Sequence, residues 1–275
     1  MRIGSRRSLF DWEYFDPDAV AYLKKAKITD QKERYLVNQL VTELKHKSFW
    51  NRFERIWLMS PTSEYASTVC TKSLELLTPV NSPDWNSSGW QMDNNTQYLN
   101  SNFSVTNDGT VTSYIICTQG VWISPGCVVR DLDVWYVCGA RSNNRMYLYE
   151  AADIGQIQAK FFAAGRQAVE PLHSGLNFEG HITGVCRGAS NREIFVNGSS
   201  VALNTVLGPI TPGGIPYDMY VGCYNQAGTA TFGAADSITG RWQLYYIASQ
   251  FTQAEMAILH SIFNSYQKQI GRYSI

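Results

Sequence analysis

Bond-breaking chemistry needs acids, bases or nucleophiles at workable spacing, and this chain offers few. In the stretch after residue 80, Asp131-Leu132-Asp133 is the one close pair of acids at alternate positions. On a strand that spacing puts both side chains on one face. A retaining glycosidase needs such a pair about 5–5.5 Å apart across a cleft. The pair opens a predicted strand, however, where a solvated turn is the simpler reading. Calcium would need several more oxygen ligands than two. Glu150 and Asp153 fall at a strand end and read as solvent-facing. The four histidines, His46, His173, His181 and His260, are far apart, and no Gly-x-Ser-x-Gly elbow or phosphate-cradling glycine loop is present. Six cysteines (Cys70, Cys117, Cys127, Cys138, Cys186, Cys223) form no Cys-x-x-Cys pair, which argues against zinc and for buried thiols. The expectation is a chain with no catalytic residues, no cofactor and no metal.

Binding is the better-supported chemistry. Trp85, Trp90 and Tyr98 lie in a run rich in Asn, Ser and Asp, and Tyr224-Asn225 follows a predicted strand. Aromatic faces that stack on sugar rings beside amide and carboxylate groups are the makings of a carbohydrate site. Aromatics in β-sandwiches also serve as core or interface, so both readings stand. A second cluster, Phe10, Trp12, Tyr14 and Phe15, follows Arg2, Arg6 and Arg7 at the N-terminus. Those four aromatics are candidate assembly contacts, with an arm folded over its own helices as the other reading. Three arginines neutralise too few phosphates for nucleic-acid binding.

These residues must be positioned by elements that the sequence marks out. Asp16-Pro17-Asp18 begins a short helix, because proline suits the first helical position. Thr29-Asp30 with Glu33 opens a second, whose apolar positions Leu36, Val37, Leu40, Val41 and Leu44 bury one face. A last helical turn is expected around Phe49–Trp57, and residues 61–90, broken by Pro61, Pro79 and Pro83, read as irregular. From about residue 90 the period changes to two. Candidate strands are 97–104, 111–118, 132–140, 144–150, 157–163, 181–187, 192–196, 200–203, 218–224 and 242–248. Asn197-Gly198 between two of them favours φ > 0 twice and so a two-residue hairpin. Thr252 to Glu255 forms a capping box for a terminal helix with the stripe Met256, Leu259, Phe263, Tyr266 and Ile270.

Charge divides the chain unevenly. Residues 1–80 hold 13 of the 23 Lys/Arg and 10 of the 23 Asp/Glu, so the remainder is sparsely charged and slightly acidic. The total is neutral, which gives no pull toward nucleic acid or anionic lipid. No run nears the ~18 apolar residues of a membrane span. No apolar core of a secretory signal follows the basic start. The organisation expected is an arm over 1–16, a helical module and linker over 17–80, and a β-sandwich with a terminal helix over 81–275.

The segment SITGRWQLYYIASQFTQAEMAILHSIFNSYQKQIGR, with the hairpin EIFVNGSSV before it, resembles the ending of concanavalin A-like, laminin-G-like jelly-roll domains in bacteriophage structural proteins. Upstream, Ala19, Tyr22, Ile28-Thr29-Asp30, Val37, Leu40-Val41, Leu44-Lys45, Trp50 and Ile56 resemble the helical module that precedes such domains. One departure is Lys47-Ser48-Phe49, where the family has a glycine before the tryptophan. The resemblance implies a mainly β, concanavalin A-like sandwich with an N-terminal α-helical module and a C-terminal helix. It further implies a non-enzymatic virion component of capsid, collar, tail or fibre. Its partners would be other virion proteins, copies of itself in a symmetric assembly, and host surface glycans. A free-standing carbohydrate-binding module is the other reading, and a glycan-cleaving enzyme the third.

Overall fold

The computed structural model describes residues 14–275 except 94, 111, 114–115, 126, 129–133, 142–144, 154–155, 164–165, 173–178, 189–190, 206–213, 233–236, 239 and 273–274. For 127–128, 134–136, 145, 147–153, 156–163, 166–172, 204 and 237–238 the backbone alone is described. The helices are α1 (Pro17–Lys25), α2 (Gln31–His46), α3 (Glu64–Thr68), α4 (Val105–Asp108) and α5 (Gln253–Ile270). The first strands are β1 (Phe53–Trp57), β2 (Thr78–Val80), β3 (Asp84–Asn86), β4 (Gly89–Gln91), β5 (Tyr98–Asn100), β6 (Ile116–Ile123) and β7 (Cys127–Val128). Next come β8 (Val134–Arg141), β9 (Arg145–Asp153), β10 (Gln156–Ala163), β11 (Arg166–Leu172), β12 (Gly180–Arg187), β13 (Arg192–Val196) and β14 (Ser199–Asn204). The chain ends with β15 (Tyr220–Val221), β16 (Tyr224–Gln226), β17 (Thr229–Thr231), β18 (Ser237–Ile238) and β19 (Trp242–Ala248).

Two sheets result. A front sheet runs β14-β13-β12-β6-β19-β4-β3 with β1 also on β19, and a back sheet runs β11-β10-β9-β8-β15-β5-β2 with β16 and β17 attached. Between them lies one core that includes Trp57, Trp90, Val121, Ile182, Val221, Trp242 and Tyr245. A second core lies between the outer face of the front sheet and α1, α2 and α5, joining Tyr22, Leu40, Trp122, Phe195, Tyr246, Leu259 and Phe263. The molecule is therefore three layers: helices, front sheet, back sheet. This is a mainly β sandwich like the concanavalin A-like domains, with N-terminal helices and a C-terminal helix, as expected.

The central strand explains the layering. All seven residues of β19 are buried. Leu244, Tyr246 and Ala248 enter the helix-side core while Tyr245 and Ile247 enter the inter-sheet core. A strand covered on both faces must read as an unbroken apolar run, and this one does. Gly120, opposite Tyr246 in the register, gives the tyrosine ring its space: a Cβ there would lie 2.2 Å from the ring carbon Cζ.

Several sequence expectations hold. Asp16 caps α1 and Asp30 caps α2 by accepting from Asp18 and Glu33 amides. Thr252 and Glu255 form the reciprocal capping box, and Gly271 ends α5 in the left-handed conformation. Asn197 and Gly198 have φ of 52° and 78° and close the β13–β14 hairpin. Other expectations change. Only a 3₁₀ turn, Trp50–Arg52, follows α2; Phe53–Trp57 is a strand, because its pairing with β19 outweighs local helical preference. The front sheet therefore begins before the boundary placed at residue 81. The prolines at 79 and 83 do not prevent β2, β3 and β4, since β2 and β3 are short edge strands. The strand expected at 111–118 is displaced to Ile116–Ile123, that at 97–104 shortens to Tyr98–Asn100 before α4, and β11 was not anticipated. The strand expected at 218–224 is two short ones separated at Gly222, whose φ is 89°.

Candidate glycan-contacting surface

The aromatic residues nominated for sugar contact separate into core and surface. Trp85, Trp90 and Trp242 pair in one row across β3, β4 and β19, so their side chains share a side. Trp90 is fully buried between the sheets, and Trp85 is half-buried and packed against the same core. Trp90 thus cannot stack on a ligand; apolar burial claimed it. Tyr224 is buried with its hydroxyl 2.5 Å from Gln226 Oε1. Asn225 is buried too, its Nδ2 donating to the Asp218 carbonyl and its Oδ1 accepting from the Gly228 amide. One polar end is committed to the β16–β17 turn and the other to the segment before β15.

Tyr98 is different. Its strand alternates: Leu99 enters the inter-sheet core while Tyr98 and Asn100 stay partly exposed on the outer face of the back sheet. On the neighbouring β15, Val221 points in and Tyr220 stands opposite Asn100. The rings of Tyr98 and Tyr220 lie 4.5 Å apart at 30°, with Phe232 6.1 Å from Tyr98. Beside them Asn100 Nδ2 donates to Asp218 Oδ2 at 3.0 Å. The Asn100 Oδ1 accepts from the Asn102 amide, and Asn102 ties back to Leu76 and Thr78. Burial and the neighbouring Tyr98 raise the Tyr220 phenol, which keeps it a neutral hydrogen-bonding group.

The loop leading into Tyr98 is held by Asp93. Its carboxylate accepts from the amides of Asn95, Thr96 and Gln97 and from the Thr96 hydroxyl. Partial burial would raise this acid, but those donors prevail and bring it down to about 2. Tyr98, partly exposed and backed by the buried Tyr220 ring, offers an aromatic face that can stack on an apolar sugar face while the neighbouring Asp218 carboxylate accepts from its hydroxyls. Tyr220, Asn100, Asp218 and Phe232 were missed in the sequence. The alternation Tyr98-Leu99-Asn100 and Asp218-Met219-Tyr220 was the available signal.

The remaining nominations resolve as follows. Phe10 and Trp12, like Asp131 and Asp133, lie outside the described residues. Tyr14 is exposed, whereas Phe15 is buried and packs in the helix-side core. His181 is buried at the sheet–helix junction, its Nε2 2.9 Å from the Tyr246 hydroxyl and 3.1 Å from that of Thr183. Burial, with His260 adding to it, holds His181 well below the usual imidazole value and therefore neutral. Cys70, Cys117, Cys138, Cys186 and Cys223 are buried reduced thiols. Among the described residues no group of three or more His, Cys, Asp or Glu converges as a metal site. No described helix is long and apolar enough to cross a membrane.

No protein-family model and no curated protein matches the sequence. The fold does have solved counterparts. One is botulinum neurotoxin type C, a toxin that depends on interaction with two ganglioside molecules to enter cells. It matches with a TM-score of 0.56 at 12% identity over 81% of this chain and 53% of its own. The binding domain of botulinum neurotoxin DC, solved with rat synaptotagmin II, gives 0.56 at 11% over 79% and 52%. A mutant of Trypanosoma rangeli sialidase displaying trans-sialidase activity gives 0.55 at 14% over 86% and 39%. The chain thus spans about half the length of the toxin chains, and what is shared is the sandwich.

Proposed function

We propose that this chain is a non-enzymatic structural protein of a bacteriophage virion, built into the particle through contacts with other virion proteins and with copies of itself. In this reading it displays a lectin-like sandwich that contacts glycans on the host surface. The observation that carries the binding half is the outer face of the back sheet, where the partly exposed Tyr98, backed by the buried Tyr220 ring, sits beside Asn100 and Asp218. The toxin counterparts, whose sandwich is similar, meet gangliosides in one case and synaptotagmin II in another, which supports reading this fold as a surface-contacting module. The virion half rests on the resemblance of the α5 ending and the helical module to phage structural proteins.

Two measurements test the halves separately. Glycan-array binding that is saturable, competed by free sugar and weakened at least ten-fold by Tyr98→Ala, with unchanged melting temperature, supports the sugar face. Equal binding by wild type and variant removes it. Mass spectrometry of purified particles tests the location, and a particle preparation lacking this chain removes that part. Intact glycan recovered after prolonged incubation is expected, and released product would overturn the non-enzymatic reading.

A further inference from the structure

Cys117 and Cys186 stand directly opposite one another on the paired strands β6 and β12, and Arg192 stands opposite Cys186 on β13. Residues in register on adjacent antiparallel strands point to the same side, so the three side chains form one row facing the inter-sheet core. All three are buried. Opposed Cα atoms in such a pair are about 4.5–5.5 Å apart, within the roughly 4.4–6.8 Å that a disulfide spans. Cys186 Sγ lies 3.4 Å from the Gly188 carbonyl, with Cys117 as its cross-strand neighbour. The row is one residue from the solvent end of the sheet: the next pair is Arg187 with Ile116, and Ile116 is 39% exposed.

We propose that Cys117 and Cys186 are a two-electron redox site that a hydroperoxide converts to a cross-strand disulfide, stapling β6 to β12. The two thiols are not equivalent. The neighbouring Cys117 thiol, with help from Gly188 and the charges of Arg192 and Arg187, draws the Cys186 thiol below its ordinary value against the opposing pull of burial. Cys117 moves the other way, raised by the Cys186 thiol beside it and by burial. Cys186 is accordingly the attacking sulfur. Its thiolate attacks one peroxide oxygen, forming S–O and breaking O–O; the departing oxygen leaves as water or an alcohol with the proton that Cys186 gave up. Cys117 then attacks the Cys186 sulfenic acid, forming S–S and breaking S–O, and its proton leaves with the hydroxide as a second water. Two thiols are oxidised and one peroxide is reduced.

The test uses the full native chain and hydrogen peroxide in a few-fold excess, followed by N-ethylmaleimide under denaturing conditions and peptide mapping. The expected result is loss of two of the six thiols and one linked peptide pair joining Cys117 to Cys186. The melting temperature should rise by about 5–10 °C and return on reduction. Six alkylated cysteines after treatment, or a link joining other cysteines, would overturn the proposal. Cys186→Ala should lose no pair of thiols; a two-thiol loss persisting in that variant would also overturn it. Mapping of the wild type decides the matter even where the variant folds poorly.

Discussion

Single residues show how differently two neighbouring aromatics in one sequence run can behave. Trp90 and Tyr98 both sit among Asn, Ser and Asp, yet one fills the inter-sheet core and the other faces out. Trp90→Ala should cost about 3–5 kcal/mol of stability, measured by denaturant unfolding, because it removes a large buried ring and leaves a cavity. Tyr98→Ala should cost under about 1 kcal/mol, as surface truncations do. Gly120 makes the opposite point. A methyl group there collides with the Tyr246 ring, which must then leave its hydrogen bonds with His181 and Thr183. Gly120→Ala should therefore destabilise by about 1–3 kcal/mol, the usual cost of overpacking, and chemical-denaturation midpoints will show it. Residue type alone foretold the candidate site poorly. Of five nominated sugar contacts only Tyr98 keeps an accessible face on the outside of the back sheet, since which side of a strand is buried depends on sheet stacking that local composition does not encode.

At the scale of elements, legibility tracked how much of an element's stability is local. The terminal helix was readable because its cap, its stripe and its stop are all written within it, and the Asn197-Gly198 hairpin likewise. β1 was unreadable because its partner, β19, is about 190 residues away in sequence and supplies the pairing. α5 also gains a distant anchor: Arg52 donates both terminal nitrogens to the Glu255 carboxylate at 2.8 Å each. That pairing, with the Thr252 amide and hydroxyl assisting, holds Glu255 down to about 2 despite partial burial. A depressed acid stabilises above its unfolded value near 4.5 and loses that contribution as pH falls through about 2. Because both partners are partly exposed, Glu255→Gln should cost only about 1–2 kcal/mol at pH 7. Its difference from wild type should shrink as pH falls below about 4. Thermal melts of the two proteins from pH 7 to pH 3 measure the convergence.

Across the whole molecule, the helices and the sandwich share one helix-side core, and their junction carries charge in an apolar place. Glu33, at the start of α2, is buried beside the Thr62 hydroxyl, and Arg272 beyond α5 is buried against the carbonyls of Leu58, Met59 and Gln243. Burial raises the Glu33 acid to about 7, outweighing the stabilising effects of Ser60 and Arg272 on its charge. The folded chain then holds a proton that the unfolded chain has already released above pH 4.5. Stability is expected to fall as pH rises from about 4.5 to 7, by at most about 3 kcal/mol from this group. Glu33→Gln should abolish that slope in pH-dependent unfolding while retaining the fold. The same shared core makes a stronger demand. The outer face of the front sheet presents Trp122, Val185, Phe195, Leu244 and Tyr246 to α1, α2 and α5. Without α1 and α2 the apolar residues that they cover on α5 and beside the front sheet would meet water, a patch of the kind that drives association. A chain lacking residues 1–52 retains every described strand and α5, so an independently stable sandwich would stay monomeric and melt as the full chain does. The expected outcome is aggregation, or binding of a hydrophobic dye with loss of the cooperative melt, read by light scattering and calorimetry. A soluble, monomeric fragment with an undiminished melting temperature would instead mean that the helical layer is an appendage and that the sandwich ends at its own two sheets.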